Sequence, residues 1–235
     1  MLINADFSLP AIVVPKDDDW QCSPESGVDR LMLDRIGDEV ARATSIVRYA
    51  KGSSFPRHLH AKGEEFLVLS GVFSDEHGDY PTGCYVRNPP GSGHAPFSEG
   101  GCRILVKLRQ FDPADLTPIV INTHDSIGWQ KSDDGNTESL HLYDYGSENV
   151  QMVRLPAGQE ISLSTNPAGV ELLVISGSVE YAGELLPVES WLRFPADHTA
   201  EIRAATDTVL WMKSGHLPLS LPDRSIRGVF APVIT

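Results

Sequence analysis

The sequence has little cysteine, little positive charge and no long apolar run. Its three cysteines, Cys22, Cys84 and Cys102, are odd in number among 235 residues and form no Cys-x-x-Cys pair. This argues against a disulfide framework and against a thiolate zinc site, and it favours a reducing, cytoplasmic location. No apolar stretch reaches the roughly 18 residues of a membrane helix. The first 20 residues lack the basic start and apolar core of a signal peptide.

Positive charge is scarce. The chain has 19 Lys and Arg and 32 Asp and Glu, which gives a formal net charge of -13. An acidic surface without a basic stripe repels phosphate groups. We therefore expect neither nucleic acid nor a membrane as a partner.

Helix-forming patterns are also rare, since 20 Gly and 17 Pro interrupt the chain at short intervals. Between them lie short runs rich in β-branched and aromatic residues, which predict an all-β fold, an antiparallel sandwich or barrel. SDEHGDYPTG (74–83) and FSEGG (97–101) are expected to be hairpin connections. The predicted strands are ATSIVRYA (43–50), EFLVLSGVF (65–73), CYVRN (84–88), CRILVKLRQF (102–111), VQMVRL (150–155), ELLVISGSV (171–179), WLRF (191–194) and TVLWMKS (208–214).

The two halves of the chain resemble each other when they are shifted by 106 residues. A shared offset over this length indicates a repeated, domain-sized unit. We expect two β-domains, residues 1–121 and 122–235, with the polar stretch 122–139 at their junction. The segments and residues that coincide include FLVLSG (66–71) with LLVISG (172–177), Glu65 with Glu171, Arg87 with Arg193, and Lys107 with Lys213.

A histidine-rich stretch, SSFPRHLHAKGEEFLVLSGVF (53–73), leads into one of the predicted strands. His58 and His60 are two residues apart and would share one face of a strand, and Glu64 has the same parity. Imidazoles and a carboxylate on one face can bind a divalent ion. His94 follows a tight turn of glycines and prolines that can direct it back as a fourth ligand.

Glu65 competes with Glu64 for the carboxylate role. Glu65 has the wrong strand parity, and its counterpart Glu171 persists in the second half of the chain, where the other candidate ligands are replaced. We therefore assign Glu64 to the metal and Glu65 to a structural role. His77 is expected to be a loop histidine.

These residues resemble the two sequence motifs of the cupins. The resemblance implies double-stranded β-helix (jelly-roll) barrels, here two in tandem, with one divalent ion held by three histidines and a glutamate. Zinc is the expected ion, and iron, nickel and manganese are alternatives. The first motif, G-x5-H-x-H-x3-E-x6-G, matches Gly52, His58, His60, Glu64 and Gly71; the second, G-x5-P-x-G-x2-H-x3-N, matches Gly83, Pro89, Gly91 and His94, with Ser98 in place of the asparagine.

A narrower resemblance covers residues 20–111, which look like the cupin domain of ChrR-type anti-sigma factors. It implies a zinc-binding regulator of transcription in a stress response, with a sigma factor or another protein as partner. That family binds the sigma factor through an N-terminal domain with a His-x3-Cys-x2-Cys motif. Residues 1–50 contain only Cys22 and no histidine, so the chain is expected to lack this domain.

Related single-domain cupins are metal-dependent dioxygenases that act on β-diketones or aryl ketones. This resemblance implies the alternative function, an enzyme with a small molecule bound at the metal. No general base is identifiable from the sequence, so the catalytic residues are left open.

The second half has lost the candidate ligands. Under the 106-residue shift, their places are taken by Ser164, Asn166, Val170 and Ala200, and His198 is out of register by two. We expect a degenerate barrel without metal that has a structural or dimerisation role or binds an organic effector. The extended segments 5–14 and 227–235 could pair between chains, and we expect a homodimer.

Overall fold

The computed structural model describes residues 1–125, 127–133, 135–163 and 168–217. Over these ranges the protein is all-β, as predicted, with a single three-residue 3-10 helix at Asp17–Asp19. No helix in this part of the chain is long and apolar enough to cross a membrane. Ser164, Asn166 and the segment 227–235 lie outside the described residues.

The strands fall into two groups along the chain. The first group is Leu2–Ile3 (β1), Ala11–Val13 (β2), Gln21–Cys22 (β3), Val28–Gly37 (β4), Ala41–Tyr49 (β5), Ser53–Ser54 (β6), His58–Leu59 (β7), Glu64–Asp75 (β8), Gly78–Pro81 (β9), Cys84–Asn88 (β10), Gly93–His94 (β11), Phe97–Ser98 (β12), Cys102–Leu108 (β13) and Ile119–Asn122 (β14). The second group is Gln130–Lys131 (β15), Glu138–Tyr145 (β16), Glu148–Leu155 (β17), Glu160–Ser162 (β18), Val170–Ser176 (β19), Val179–Tyr181 (β20), Glu184–Leu186 (β21), Trp191–Phe194 (β22), Glu201–Ala204 (β23) and Thr208–Ser214 (β24).

All eight predicted runs contain strands. The expected loop 74–83 was wrong in part, because β8 continues to Asp75 and pairs with β9. Glu76 and His77 form the turn between β8 and β9, and Thr82 and Gly83 form the turn between β9 and β10. Hydrogen bonding between the two strands extends the hairpin beyond the apolar run from which it was predicted.

The main sheet of each half has the same order of corresponding strands. In the first it is β1-β4-β5-β13-β8-β10-β14, and in the second it is β15-β16-β17-β24-β19-β22-β2. Short strands form the opposing layer, so the fold is two antiparallel jelly-roll barrels in tandem. The 106-residue offset relates β13 to β24 and β8 to β19, in agreement with the repeat seen in the sequence.

The two main sheets differ in where one of their edge strands comes from in the chain. β14 pairs with β10 in the first sheet, whereas β2, near the start of the chain, pairs with β22 in the second sheet. The expected boundary at residues 121 and 122 therefore falls inside a strand, β14. The boundary stays a prediction. Dimerisation through residues 5–14 also stays a prediction. One edge of β2, which lies in this segment, is already paired with β22.

Side chains alternate along the central strands and divide the core into three parts. On β8, Phe66 and Val68 pack inside the first barrel, whereas Leu67 points to the layer between the barrels. On β19, Leu172 lies inside the second barrel and Leu173 in the layer between them. This alternation follows from the two-residue period of a strand. It gives each half its own apolar interior and a shared apolar interface.

Candidate metal centre

The structure brings the four predicted side chains together. β7 and β11 pair antiparallel with His94 opposite His58, and Glu64 is the first residue of β8. Each residue offers one ligand atom, and these four atoms all lie within 4.8 Å of one another. The Nε2 atoms of His60 and His94 are each 3.5 Å from Glu64 Oε1. Their role as metal ligands stays a prediction.

The Nδ1 atom of each histidine lies beside an atom that accepts a hydrogen bond from it. His58 Nδ1 lies 3.0 Å from the carbonyl oxygen of Pro56, which can only accept. His60 Nδ1 lies 3.1 Å from Ser92 Oγ, and that hydroxyl donates its own proton to the carbonyl of Pro89 at 2.6 Å. Both imidazoles therefore carry the proton on Nδ1 when neutral, which leaves the Nε2 lone pair for a metal.

His94 is oriented by a carboxylate. Its Nδ1 donates to Asp75 Oδ2 at 2.9 Å, in a buried pair. Burial alone would lower the pKa of His94, but the hydrogen bond to Asp75 and the charge of Glu64 outweigh burial and raise the pKa. A carboxylate behind a ligating histidine fixes the ring and increases its basicity.

The donor set fits a divalent ion. His60 Nε2 is buried and has no hydrogen-bond partner among the described residues. Burial lowers the pKa of His60, which favours the neutral imidazole that binds metal. An unpaired buried nitrogen is costly unless something accepts its lone pair, and a divalent ion among three imidazoles and one carboxylate would do so.

The other candidates lie away from this group. Glu65 points to the layer between the barrels, where it accepts from Tyr85 Oη at 2.6 Å and from Arg87 Nη1 at 2.8 Å. This is the structural environment that its strand parity predicted. His77 is exposed in the turn between β8 and β9. His198 stacks on Phe194 in the second barrel, at 5.2 Å between ring centroids.

At the positions that correspond to the candidate ligands and that the structure describes, the second barrel has apolar residues buried in its core. Val170 and Ala200, which correspond to Glu64 and His94, are buried in its interior cluster with Leu172 and Ile202. The equivalents of His58 and His60 lie outside the described residues.

Sequence reasoning missed the residues that support the ligands. Asp75 and Ser92 hold His94 and His60, and Asn88 Nδ2 is 3.5 Å from Glu64 Oε1. Ser92 lies inside the second motif, at one of its unspecified positions. No spacing in the sequence connects Asp75 with His94, because only the pairing of β12 with β8 places the two segments side by side.

A cavity of about 360 Å³ adjoins the four side chains. Val40 and Leu59 are exposed on its rim, so it opens to solvent. Tyr49 also lines it, and burial followed by the charge of Glu64 raises the pKa of that phenol. The cavity can therefore admit a small molecule to the metal candidates. Apolar walls come from Val28, Val47, Phe55, Phe73, Ile104, Val106 and Leu108.

An all-β barrel with three histidines and a glutamate converging inside it resembles the arrangement found in cupins. Residues 9–112 match the ChrR Cupin-like domain family. The matched segment includes all four candidate ligands. A search of curated protein sequences finds no match to the chain.

Solved structures share the fold across most of the chain. A proposed dioxygenase from Nostoc punctiforme is 12% identical with a TM-score of 0.69, over 94% of this chain and 84% of that one. A proposed glyoxylate-induced protein from Pseudomonas aeruginosa is 13% identical with a TM-score of 0.69, over 94% and 93%. The pirin YhhW of Escherichia coli, in complex with nickel(II), is 15% identical with a TM-score of 0.62, over 88% and 99%. At these identities the likeness concerns the fold.

Proposed function

We propose that this protein binds one divalent ion through His58, His60, Glu64 and His94, and that the site acts on a small organic molecule held in the adjoining cavity. The observation that carries the proposal is the cavity of about 360 Å³ against the candidate ligands. A purely structural ion needs no such space, whereas substrate sites are concave and mostly apolar. The reaction class we propose is a metal-dependent dioxygenase with iron(II) as the active ion.

One set of residues would hold the ion, and another set would contact the ligand. The Nδ1 hydrogen bonds of the three histidines fix their rings, and Glu64 supplies the one negative charge. The apolar walls exclude water from the ligand. A bound ion would act as a Lewis acid toward an oxygen of the ligand. A phenol is protonated at neutral pH, and burial raises the pKa of Tyr49 further, so Tyr49 can donate a hydrogen bond within the cavity.

A second candidate function is a ligand-responsive or redox-responsive zinc regulator. It is favoured by the match of residues 9–112 to the ChrR Cupin-like domain and by the donor set, since three imidazoles and a carboxylate can complete a tetrahedral zinc site. In this case the partner would be a sigma factor or another protein. We also propose a cytoplasmic location, which fits three free cysteines, a homodimer, and a structural role for the second barrel.

Cobalt(II) substitution tests whether the site is open. The ion replaces zinc or iron, and its visible spectrum reports coordination. We expect one cobalt per chain and a spectral change on titration with azide, since an enzymatic ion keeps a position for an exogenous ligand. A fully loaded site whose spectrum does not respond to azide would be closed to exogenous ligands and would favour the zinc regulator.

Oxygen uptake tests the reaction class. Protein loaded with iron(II) is mixed with β-diketones and hydroxylated aryl ketones in an oxygen electrode. We expect one O2 consumed per substrate without added reductant, because both oxygen atoms enter the product. His60→Ala should abolish uptake, and His141→Ala, at an exposed histidine outside the site, should retain it. Peroxide-triggered zinc release with co-purification of a sigma factor, in protein that consumes no oxygen, would support the regulator instead.

A further inference from the structure

The cavity beside the metal candidates contains three arginines that the proposed function does not use. Arg30 and Arg35 lie on β4, and Arg109 follows β13. They stand in a protein whose formal net charge is -13. Three guanidinium groups in one mostly apolar cavity are therefore a local feature and not a consequence of a basic surface.

A β-bulge brings Arg35 into this cavity. Met32 pairs with Ser45 and Asp34 pairs with Thr44, so Leu33 is an extra residue on β4. Leu33 points with Leu31 into the layer between the barrels. If β4 kept its regular alternation through Leu33 with no bulge, Arg35 would have the parity of Leu31 and would point into that layer as well. The bulge instead places it on the cavity side with Arg30, and bulges next to binding sites commonly redirect a side chain in this way.

These cations are only partly neutralised. Arg30 Nη1 is 3.8 Å from Glu39 Oε2, a carboxylate whose side chain is 74% exposed, and Arg30 Nη2 donates to Ser23 Oγ at 3.2 Å. Arg35 is buried and its Nη2 donates to the carbonyl of Asp38. Burial, followed by the charge of Arg30, lowers the pKa of Arg35. The carboxylates close to these two guanidinium groups, Glu39 and Asp38, are both exposed.

Arg109 adds a third cation. Its side chain lines the cavity and, within the residues that the structure describes, it makes no hydrogen bond or ion pair. Its backbone is held in the left-handed region at φ 60°, and its N–H donates to the carbonyl of Gly63, next to Glu64.

We infer that the ligand of this cavity is a small organic carboxylate, with its anionic group on Arg30, Arg35 and Arg109 and its apolar body against the valine, phenylalanine and isoleucine walls. The inference rests on the proposed function, since it names the substrate class of the same site. Planar guanidinium groups match a carboxylate through paired hydrogen bonds. A carboxylate is favoured over a phosphate because most of the remaining wall is apolar and it supplies few further donors for a dianion.

Calorimetry with matched acids and amides tests the inference. Zinc-loaded protein is titrated with phenylacetate and phenylacetamide, and with hexanoate and hexanamide, which differ only in charge at one end. We expect at least one acid to bind about tenfold more tightly than its amide, which corresponds to one good charge-assisted hydrogen bond. Phenyl phosphate is the third probe.

Arginine variants locate the effect. Arg30→Gln and Arg109→Gln should each weaken binding of the acid by about five- to tenfold and leave binding of the amide unchanged. Arg48→Gln is the matched control, because Arg48 is 46% exposed and pairs with Asp29 outside this cavity. The inference is overturned by amides that bind as tightly as acids, by phenyl phosphate that binds more tightly than the acids, by acids that fail to bind at millimolar concentration, or by equal affinities in Arg30→Gln and Arg48→Gln.

Zinc content separates this inference from the proposed function. If each chain holds one zinc that His94→Ala removes, but the acids show no preference that depends on the arginines, the inference fails and the metal site stands. If the chain holds no zinc and the acids still bind in a manner that depends on Arg30, the inference stands and the metal proposal fails.

Discussion

Lys107 Nζ donates a 2.5 Å hydrogen bond to Glu171 Oε2, and this contact joins the first barrel to the second. Lys213 makes the reciprocal contact with Glu65. Because Lys107 corresponds to Lys213 and Glu65 to Glu171 under the 106-residue shift, each barrel contributes one lysine and one glutamate to the other. All four side chains are buried, and these two contacts form only when both barrels are in place.

Breaking one of these two lysine–glutamate contacts should destabilise the protein strongly. Glu171 would lose its ammonium partner in Lys107→Met while it stays buried, which typically costs about 3–5 kcal/mol in the free energy of unfolding. Lys107→Met/Glu171→Gln should cost less than the sum of the single variants, because neither charge is then left unpaired. Urea denaturation of the four proteins measures this. Strictly additive costs would show that the two residues do not interact.

Acid should weaken the same interface through His216. Its Nε2 is 2.9 Å from Glu171 Oε2, and burial lowers its pKa to about 3. In the unfolded chain the pKa is about 6.5. Between these values the unfolded state binds a proton that the folded state does not, so stability falls as the pH falls from about 6.5 toward 3. The slope from this one group is at most about 1.4 kcal/mol per pH unit.

The variant His216→Gln isolates this contribution, since it keeps a donor for Glu171 but does not titrate. We expect the difference in unfolding free energy between wild type and variant to shrink as the pH is lowered from 7.5 to 5. A constant difference over this range would mean that His216 titrates alike in the folded and unfolded states.

Removing a ligand or its support should affect metal content to different degrees. His60→Ala and His94→Ala should lose the ion, whereas Asp75→Asn, which keeps all four ligands, should bind it about 10- to 100-fold more weakly. The free energy of unfolding should drop with the lost metal, because an ion that binds only the folded chain stabilises it. Elemental analysis and thermal unfolding measure both effects, with His141→Ala as control. Equal metal content in His60→Ala and wild type would reject the site.

Gly93 controls how closely the two histidine strands approach. A Cβ atom at Gly93 would lie 2.5 Å from the carbonyl oxygen of His58, so β7 and β11 must separate in Gly93→Ala. We expect a loss of about 1–3 kcal/mol in stability and weaker metal binding. Gly100→Ala is the matched control, since nothing lies within 4 Å of the added atom there. Full metal affinity in Gly93→Ala would show that the strand spacing does not set the site.

Local spacing was enough to predict much of this protein. Three of the four candidate ligands lie within seven residues, and the fourth follows a turn that its glycines and prolines define. Glu65 could be separated from Glu64 by parity alone, because adjacent residues on β8 point to opposite faces. The runs 84–88, 191–194 and 208–214 coincide with β10, β22 and β24, since β-branched and aromatic residues mark buried strands.

β4 could not be predicted in the same way. Its sequence, VDRLMLDRIG, has charged and apolar residues in short blocks and no regular alternation, and it contains Asp34, which is buried and 3.3 Å from Arg193 of the second barrel. A charge in a strand is acceptable in the interior only when a partner meets it, and here the partner lies 159 positions away in the sequence. The bulge at Leu33 likewise leaves no mark that composition would reveal.

The sequence by itself determined eight of the strand segments, the repeat and the four side chains of the candidate site, because periodicity and spacing act over a few residues. Only the tertiary structure decided the rest: β2 joins the second sheet, Asp75 stands behind His94, the lysines and glutamates exchange between barrels, and Arg35 is turned into the cavity. Each of these depends on contacts between distant segments, whose geometry is set by sheet pairing and by the need to pair buried charges.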